Sequence, residues 1–161
     1  MRAYRLVKAR YISGALEGEG ARRFGGRWNS KGTRVAYLSD SPALAALEIL
    51  VHTRSEEDLQ DYLMLELTFD EVLVEAVSGG ALPEGWDQFR PPTQAQALGN
   101  RWVAEGRSLL LCVPSVVIPR QFNYLLNPQH PDMTKLKVGE SEPFRFDPRL
   151  MRPVHPHRRG E

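Results

Sequence analysis

The sequence has few of the residues from which secreted, membrane-spanning or zinc-binding proteins are built. Its 161 residues include one cysteine, Cys112, which excludes an internal disulfide and any zinc site made of several cysteines. No apolar run approaches the length of a membrane span, and the N-terminal residues lack the apolar centre of a signal peptide. The four histidines show no metal-binding spacing, and His155 and His157 alternate near the C-terminus. We therefore expect a cytoplasmic protein that needs no metal.

Net charge is also small, at +1, but it is unevenly distributed. Residues 1–34 contain nine lysines and arginines against two glutamates, whereas residues 55–75 contain eight acidic residues and no basic one. The basic part favours an anionic small molecule, because it lacks the charge density and interleaved aromatics of a nucleic-acid groove. The acidic part is typical of a solvated face. We expect direct binding to neither nucleic acid nor membrane.

The length fits one domain over residues 1–161, with residues 150–161 as a mobile tail rich in proline and arginine. The hydrophobic pattern predicts strands over residues 3–7, 34–38, 62–69, 72–77, 108–113 and 144–146, and helices over residues 42–53 and 94–105. Residues 13–26 predict a surface loop. We expect the third and fourth of these strands to pair as neighbours, and Thr93 and Gln96 to form a capping box.

Residues 25–52 contain the features that are hardest to explain by packing. Gly25 and Gly26 lead into Arg27, Trp28 and Asn29, so a backbone that allows close approach precedes a cation, a flat ring and an amide. This combination suits an anionic ligand that carries a ring. The strand that follows delivers Tyr37 near its end, where the ring serves either the core or a ligand.

A carboxylate on the helix that follows this strand is the main anomaly. Ser41 and Pro42 fit the N-cap and first helical positions, and Leu44, Leu47 and Val51 predict an apolar face with Glu48 at its edge. An unpaired buried carboxylate would cost about 2–5 kcal/mol, so Glu48 needs a partner, a ligand or a wet cleft. Arg27 is the candidate partner. A structural Arg27–Glu48 pair and a functional site both remain open here.

Other polar residues occupy positions where ligands bind in mixed sheets. Arg5 alternates with Tyr4 and Leu6, so it faces either solvent or the cleft. Ser115 follows the predicted central strand, at a strand end. Asn127 precedes Pro128, which is a turn signal as well as a possible ligand donor.

The sequence resembles the RES domain, which is named for its arginine, glutamate and serine. The matching features, in order, are Arg5, GGRWN at 25–29, Tyr37, Glu48, VPS at 113–115 and NYLLNP at 123–128. The resemblance covers essentially the whole chain. It implies an α+β fold in which a single compact domain has a mixed, mostly antiparallel sheet, similar to ADP-ribosyltransferases of the diphtheria-toxin type.

The resemblance also implies an activity, a site and a partner. RES domains are the toxins of RES–Xre toxin–antitoxin pairs and consume NAD, by hydrolysis or phosphorolysis of the nicotinamide–ribose bond or, alternatively, by ADP-ribosylating a host protein. The implied catalytic residues are Arg27, Tyr37, Glu48 and Ser115, and those implied to bind NAD are Arg5, Arg27, Tyr37 and Asn127. The implied partners are an Xre-type helix-turn-helix antitoxin and a second copy of the chain. A binding module without catalysis is the remaining alternative.

Overall fold

Residues 1–53 and 55–151 are described by a computed structural model of the chain. The predicted mobile tail lies largely outside these residues, as do His155 and His157. Among the described residues, no helix is long and apolar enough to cross a membrane.

Within the described residues, the chain forms one eight-stranded sheet and three α-helices. The strands are β1 (Arg2–Lys8), β2 (Ala36–Ser39), β3 (Tyr62–Thr68), β4 (Val74–Ala76), β5 (Leu110–Pro114), β6 (Phe122–Leu126), β7 (Lys137–Val138) and β8 (Glu142–Phe144); the helices are α1 (Glu19–Phe24), α2 (Pro42–Leu50) and α3 (Thr93–Glu105). The strand order is β4-β5-β6-β2-β1-β3-β7, and β8 also pairs with β3. The β4–β5 pair is parallel, and the other described pairs are antiparallel. The α+β class with a mixed, mostly antiparallel sheet is confirmed.

The centre of the sheet contains a seam between β1 and β2. Within the described residues these strands share one register pair, Tyr4 with Ser39, whereas β1 pairs with β3 from Arg2 to Lys8. Strand β2 pairs over its full length with β6. The sheet therefore has two well-paired halves that meet at a narrow junction.

Alternation of side chains along the strands builds a core on each face of the sheet. Leu110, Tyr124 and Leu126 point into the larger cluster, while Leu111 and Leu125 point to the opposite face. On that opposite face α3 covers one half of the sheet with Ala95 and Trp102. Helix α2 covers the other half, where Ala45 and Ala46 pack against Leu6. Helices α2 and α3 therefore cover this face on opposite sides of the seam.

Helix α2 starts as predicted but ends earlier. Ser41 Oγ accepts a hydrogen bond from Leu44 N (3.2 Å), and Pro42 opens the helix. The last helical residue is Leu50, and Val51 is 56% exposed. The predicted apolar face was therefore wrong at Val51, because Leu44, Ala45 and Ala46 form the buried side.

Three further predictions were also wrong. Residues 13–26 are not a plain loop, because they contain the end of a 3-10 helix (Ala9–Gly14) and α1. Strands β3 and β4 are not neighbours, since β3 pairs with β1 and β4 with β5. Helix α3 has no capping box: its N-cap residue is Pro92, and the Gln96 side chain bonds elsewhere.

Candidate active site

The Glu48 carboxylate lies on the second turn of α2, half-buried, facing the strand ends of β5 and β6. Its Oε1 accepts hydrogen bonds from Ser115 Oγ (3.1 Å) and Asn123 Nδ2 (2.6 Å). Among the described residues, no donor binds Oε2. One carboxylate oxygen is thus held in place while the other is available to a ligand.

The Ser115 hydroxyl uses all of its hydrogen-bonding capacity in this arrangement. Its Oγ accepts hydrogen bonds from the backbone N–H groups of Val117 (3.1 Å) and Ile118 (3.2 Å). Because a hydroxyl has one proton and two lone pairs, both lone pairs are occupied and the proton is donated to Glu48. Ser115, which is 6% exposed, therefore orients the carboxylate and has no lone pair left to attack a substrate.

Asn123 is oriented in turn by Ser39. Ser39 Oγ donates to Asn123 Oδ1 (2.9 Å), so the amide nitrogen must face Glu48. Ser39 and Asn123 are register partners on β2 and β6, and the Ser39 side chain is buried. The successive hydrogen bonds from Ser39 to Asn123 and from Asn123 to Glu48 link β2 and β6 to α2. Neither serine nor asparagine at these positions was predicted as a site residue.

Arg27 does not neutralise Glu48. Its Nη1 donates to the backbone carbonyls of Trp86 (2.5 Å) and Gln88 (2.8 Å), and no Arg27–Glu48 ion pair forms in the described part of the chain. Burial lowers the pKa of Arg27, and the nearby negative charge of Glu48 partly offsets this effect. The two side chains are thus close enough to interact electrostatically without direct contact, which disfavours the simple structural pair.

The Tyr37 hydroxyl is held by the backbone and by a fully buried amide. It donates to Asn29 Oδ1 (2.8 Å) and accepts from Trp28 N (3.2 Å). The Asn29 amide nitrogen faces three carbonyl oxygens, those of Ala21, Ser30 and Thr33. Burial raises the pKa of Tyr37 well above its ordinary value, so the hydroxyl stays neutral. The ring, rather than the hydroxyl, is the part of Tyr37 that can serve a ligand.

Gly26 is needed for this close approach. A Cβ atom at position 26 would lie 2.4 Å from the Tyr37 hydroxyl oxygen and 2.8 Å from Asn29 Oδ1. Any side chain there would displace the Tyr37–Asn29 hydrogen bond. The predicted role of a glycine that permits close backbone approach is confirmed at this position.

Arg5 bridges the seam of the sheet. Its Nη1 donates to the Tyr37 carbonyl oxygen (2.6 Å), while its buried Nε has no hydrogen-bond partner among the described residues. Burial lowers the pKa of Arg5 to about 10. Arg5 is therefore not a solvent-facing residue. Its guanidinium is a desolvated cation with donor capacity left over, which an anion would satisfy.

Asn127 lies apart from these residues. It follows the C-terminal end of β6, whereas Asn123 lies near the start, and their separation along the strand is roughly 13 Å. Asn127 is 2% exposed, and its Oδ1 accepts from Gln129 N (3.0 Å). Of the two predicted roles, turn former and ligand donor, Asn127 therefore has the first, and it does not lie beside Glu48.

Four of the six predicted residues lie close enough to interact through hydrogen bonds or charge: Arg27, Tyr37, Glu48 and Ser115. A fifth, Arg5, is hydrogen-bonded to the Tyr37 backbone. No group of three or more histidine, cysteine, aspartate or glutamate side chains that could hold a metal occurs among the described residues.

A separate open cavity of about 730 Å³ lies at the far end of β1. Its lining includes Lys8, Tyr62 and Phe144 but not Glu48 or Arg27. Because its lining contains both cations and carboxylates, and the Lys8 ammonium group donates to the Gln60 carbonyl (2.8 Å), the cavity shows no preference for an anion. The candidate site is therefore the neighbourhood of Glu48.

A model of the RES domain matches residues 2–147. The chain belongs to the RES domain family. A curated relative from a Sphingobium species, named Prs ADP-ribosylating toxin, is 39% identical over 145 residues, covering 88% of this chain and 90% of the relative. Another from Yersinia enterocolitica, named Toxin Res, is 35% identical over 151 residues, covering 93% and 99%.

The fold of this RES domain is also found in a solved structure. The crystal structure of the M. tuberculosis MbcT–MbcA toxin–antitoxin complex contains a chain that matches with a TM-score of 0.72. The match covers 92% of this chain and 85% of the other at 23% sequence identity, which establishes the likeness of fold.

Proposed function

We propose that this chain is the toxin of a toxin–antitoxin pair and depletes NAD by cleaving the bond between nicotinamide and ribose. The observation that carries the proposal is the state of Glu48. Its carboxylate is oriented through Oε1 by Ser115 and Asn123, and among the described residues it forms no ion pair with Arg27 and has no donor to Oε2. The names of the relatives as toxins support the same reading.

The chemistry requires a fixed negative charge beside a sugar that becomes positive. When the C1′–N bond breaks, its electron pair leaves with nicotinamide, and the ribose develops oxocarbenium character. An ionised Glu48 stabilises that charge, and a preorganised electrostatic contact of this kind is worth about 3–4 kcal/mol. The acceptor oxygen then bonds to C1′, and the proton it carries is released.

The remaining residues would bind the two ends of NAD. Arg5 and Arg27 supply forked donors for the diphosphate oxygens, and the unpartnered Nε of Arg5 among the described residues supports this role. The Tyr37 ring offers a surface on which nicotinamide can stack, worth about 1 kcal/mol. Ser115 and Asn123 act through Glu48. No metal enters the proposed reaction.

The test is release of nicotinamide from NAD by the purified chain, free of antitoxin. Glu48→Gln keeps the shape of the side chain and removes its charge, so we expect turnover to fall by roughly 10² to 10³-fold. Glu140→Gln is the matched control, because Glu140 is exposed and lies outside the site. Turnover by Glu48→Gln at the wild-type rate would refute the role of Glu48.

A second candidate function, transfer of ADP-ribose to a host protein, is favoured by the Sphingobium relative named for ADP-ribosylation. The two reactions share the cleavage step and differ in the acceptor. Incubation with adenine-labelled NAD and cell extract separates them: label on a protein supports transfer, whereas free ADP-ribose or its 1-phosphate supports hydrolysis or phosphorolysis.

The proposal includes the setting in which the toxin acts. The MbcT–MbcA complex supports an antitoxin as partner, which we propose to be an Xre-type helix-turn-helix protein. We propose further that the chain is a homodimer within that complex and acts in the cytoplasm, where the NAD pool lies. Co-expression with the neighbouring reading frame, followed by mass measurement of the purified complex, tests both partners.

A further inference from the structure

Helix α3 presents a polar patch to the turn that carries Arg27. Gln96, Gly99 and Asn100 are three and four residues apart, so they share one face of the helix. Gln96 Nε2 donates to the Gly26 carbonyl (2.9 Å). Asn100 Nδ2 donates to Ser30 Oγ (2.7 Å), while Asn100 Oδ1 accepts from Ser30 N (3.1 Å). The helix thus holds both ends of residues 26–30.

Between these two attachments the backbone lies directly on the helix. A Cβ atom at Gly99 would be 1.9 Å from the Trp28 carbonyl oxygen, so only glycine allows this contact. The Trp28 side chain is 2% exposed and shares a core cluster with Ala95 and Trp102 of the same helix. Residues 26, 28 and 30 therefore all contact α3.

The two intervening residues are the ones that project toward the site. Asn29 accepts a hydrogen bond from the Tyr37 hydroxyl, and Arg27 donates to the carbonyl of Trp86. Burial lowers the pKa of Arg27 and the negative charge of Glu48 partly offsets this lowering, which shows that the two side chains are near each other. The Arg27 guanidinium is anchored at its tip by the carbonyl oxygens of residues 86 and 88, and the position of its Cα is set by the backbone of residues 26–30. Helix α3 holds that backbone at residues 26, 28 and 30.

We infer that Gln96 and Asn100 are positioning residues for substrate binding, acting through the backbone that carries Arg27. The inference rests on the proposed function, in which Arg27 binds the diphosphate of NAD. It assigns α3 a role beyond core packing.

Gln96→Ala and Asn100→Ala test the inference, with Gln94→Ala as the matched control, because Gln94 is an exposed glutamine on the same helix. We expect KM for NAD to rise roughly tenfold or more in both test variants, because misplacing a binding group by about 1 Å has effects of this size. The kcat should change less than about twofold, since the groups around Glu48 are untouched. Asn100→Asp should rescue KM, because an aspartate oxygen still accepts from Ser30 N.

Amide hydrogen exchange in the ligand-free chain provides a readout that needs no turnover. Exchange should rise at residues 26–30 in both alanine variants and stay at the wild-type level in Gln94→Ala. Unchanged exchange there would overturn the inference, as would faster exchange with an unchanged KM. A wild-type chain that releases no nicotinamide would instead refute the proposed function, while the exchange data still decide whether α3 fixes the turn.

Discussion

Gly99→Ala should destabilise the protein, although the same substitution usually stabilises a helix. Alanine in place of glycine inside a helix is normally favourable by about 0.5–1 kcal/mol. At position 99, however, the new Cβ would lie 1.9 Å from the Trp28 carbonyl oxygen, where ordinary contact begins near 3.4 Å. The helix and the turn must therefore separate by roughly 1.5 Å, the difference between those two distances.

The cost of that separation follows from the contacts it strains. Overpacking in a well-packed region costs about 1–3 kcal/mol. A shift of this size also lengthens the Gln96–Gly26 and Asn100–Ser30 hydrogen bonds, each worth about 0.5–1.5 kcal/mol. After subtracting the gain in helix propensity, we expect a net loss of about 2 kcal/mol. For a chain of this length, that loss lowers Tm by about 4–8 °C.

Thermal unfolding followed by circular dichroism measures the effect. Gly20→Ala is the matched control, because Gly20 also lies in a helix, α1, and a Cβ there would meet no atom within 4 Å. We expect Gly20→Ala to leave Tm unchanged or slightly higher. If Gly99→Ala were as stable as Gly20→Ala, the close contact between α3 and Trp28 would be refuted.

Three other substitutions and modifications give distinct results. Arg5→Met should weaken the binding of ADP-ribose, measured by calorimetry, tenfold or more. The same substitution should shift Tm by only a few degrees, because removal of a desolvated charge offsets the loss of its hydrogen bond to Tyr37. A large drop in Tm would contradict this expectation. Asn123→Asp should lower kcat by roughly 10 to 100-fold with little change in KM. The reason is that a charge-assisted hydrogen bond to Glu48, worth about 1.5–3 kcal/mol, is replaced by repulsion between two carboxylates. A wild-type kcat in this variant would show that Asn123 does not orient Glu48 for the reaction. Burial raises the pKa of Cys112 to about 11, so alkylation of the native thiol at pH 8 should be roughly a hundredfold slower than that of a free cysteine peptide and should accelerate up to pH 11. Since the folded protein retains this proton longer than the unfolded chain, the contribution of Cys112 to stability is complete below about pH 9 and is lost as the pH rises through 11; equal alkylation rates at pH 8 would contradict the shift.

Local patterns in the sequence predicted the elements that depend on neighbouring residues. The cap at Ser41 and the interior strand that became β5 follow from short-range chemistry, and both are observed. The pairing of β3 and β4 was wrong because strand partners are chosen by distant residues. A short apolar segment carries no mark of whether its neighbour is the next strand or one formed 30 residues later.

The candidate site was predictable in part for the same reason. Glu48 stood out because a carboxylate beside an apolar helix face needs an explanation, but its donors come from distant segments. Asn123 and Asn127 have the same residue type and the same strand phase, so periodicity cannot separate them. Their positions at opposite ends of β6 decide which one meets α2. The position of Asn123 opposite Ser39 depends on the pairing of β2 with β6, so no local pattern in the sequence could have identified it.

The residues that orient Glu48 lie far from it in the sequence, which affects when during synthesis the proposed active site can form. The hydroxyl and the amide that hold its carboxylate lie 67 and 75 residues downstream. While the chain is being synthesised from the N-terminus, residue 48 leaves the ribosome long before either donor. In the proposed mechanism, a chain that has not yet reached residues 115 and 123 cannot orient Glu48, so cleavage of NAD should begin only after most of the chain has been made.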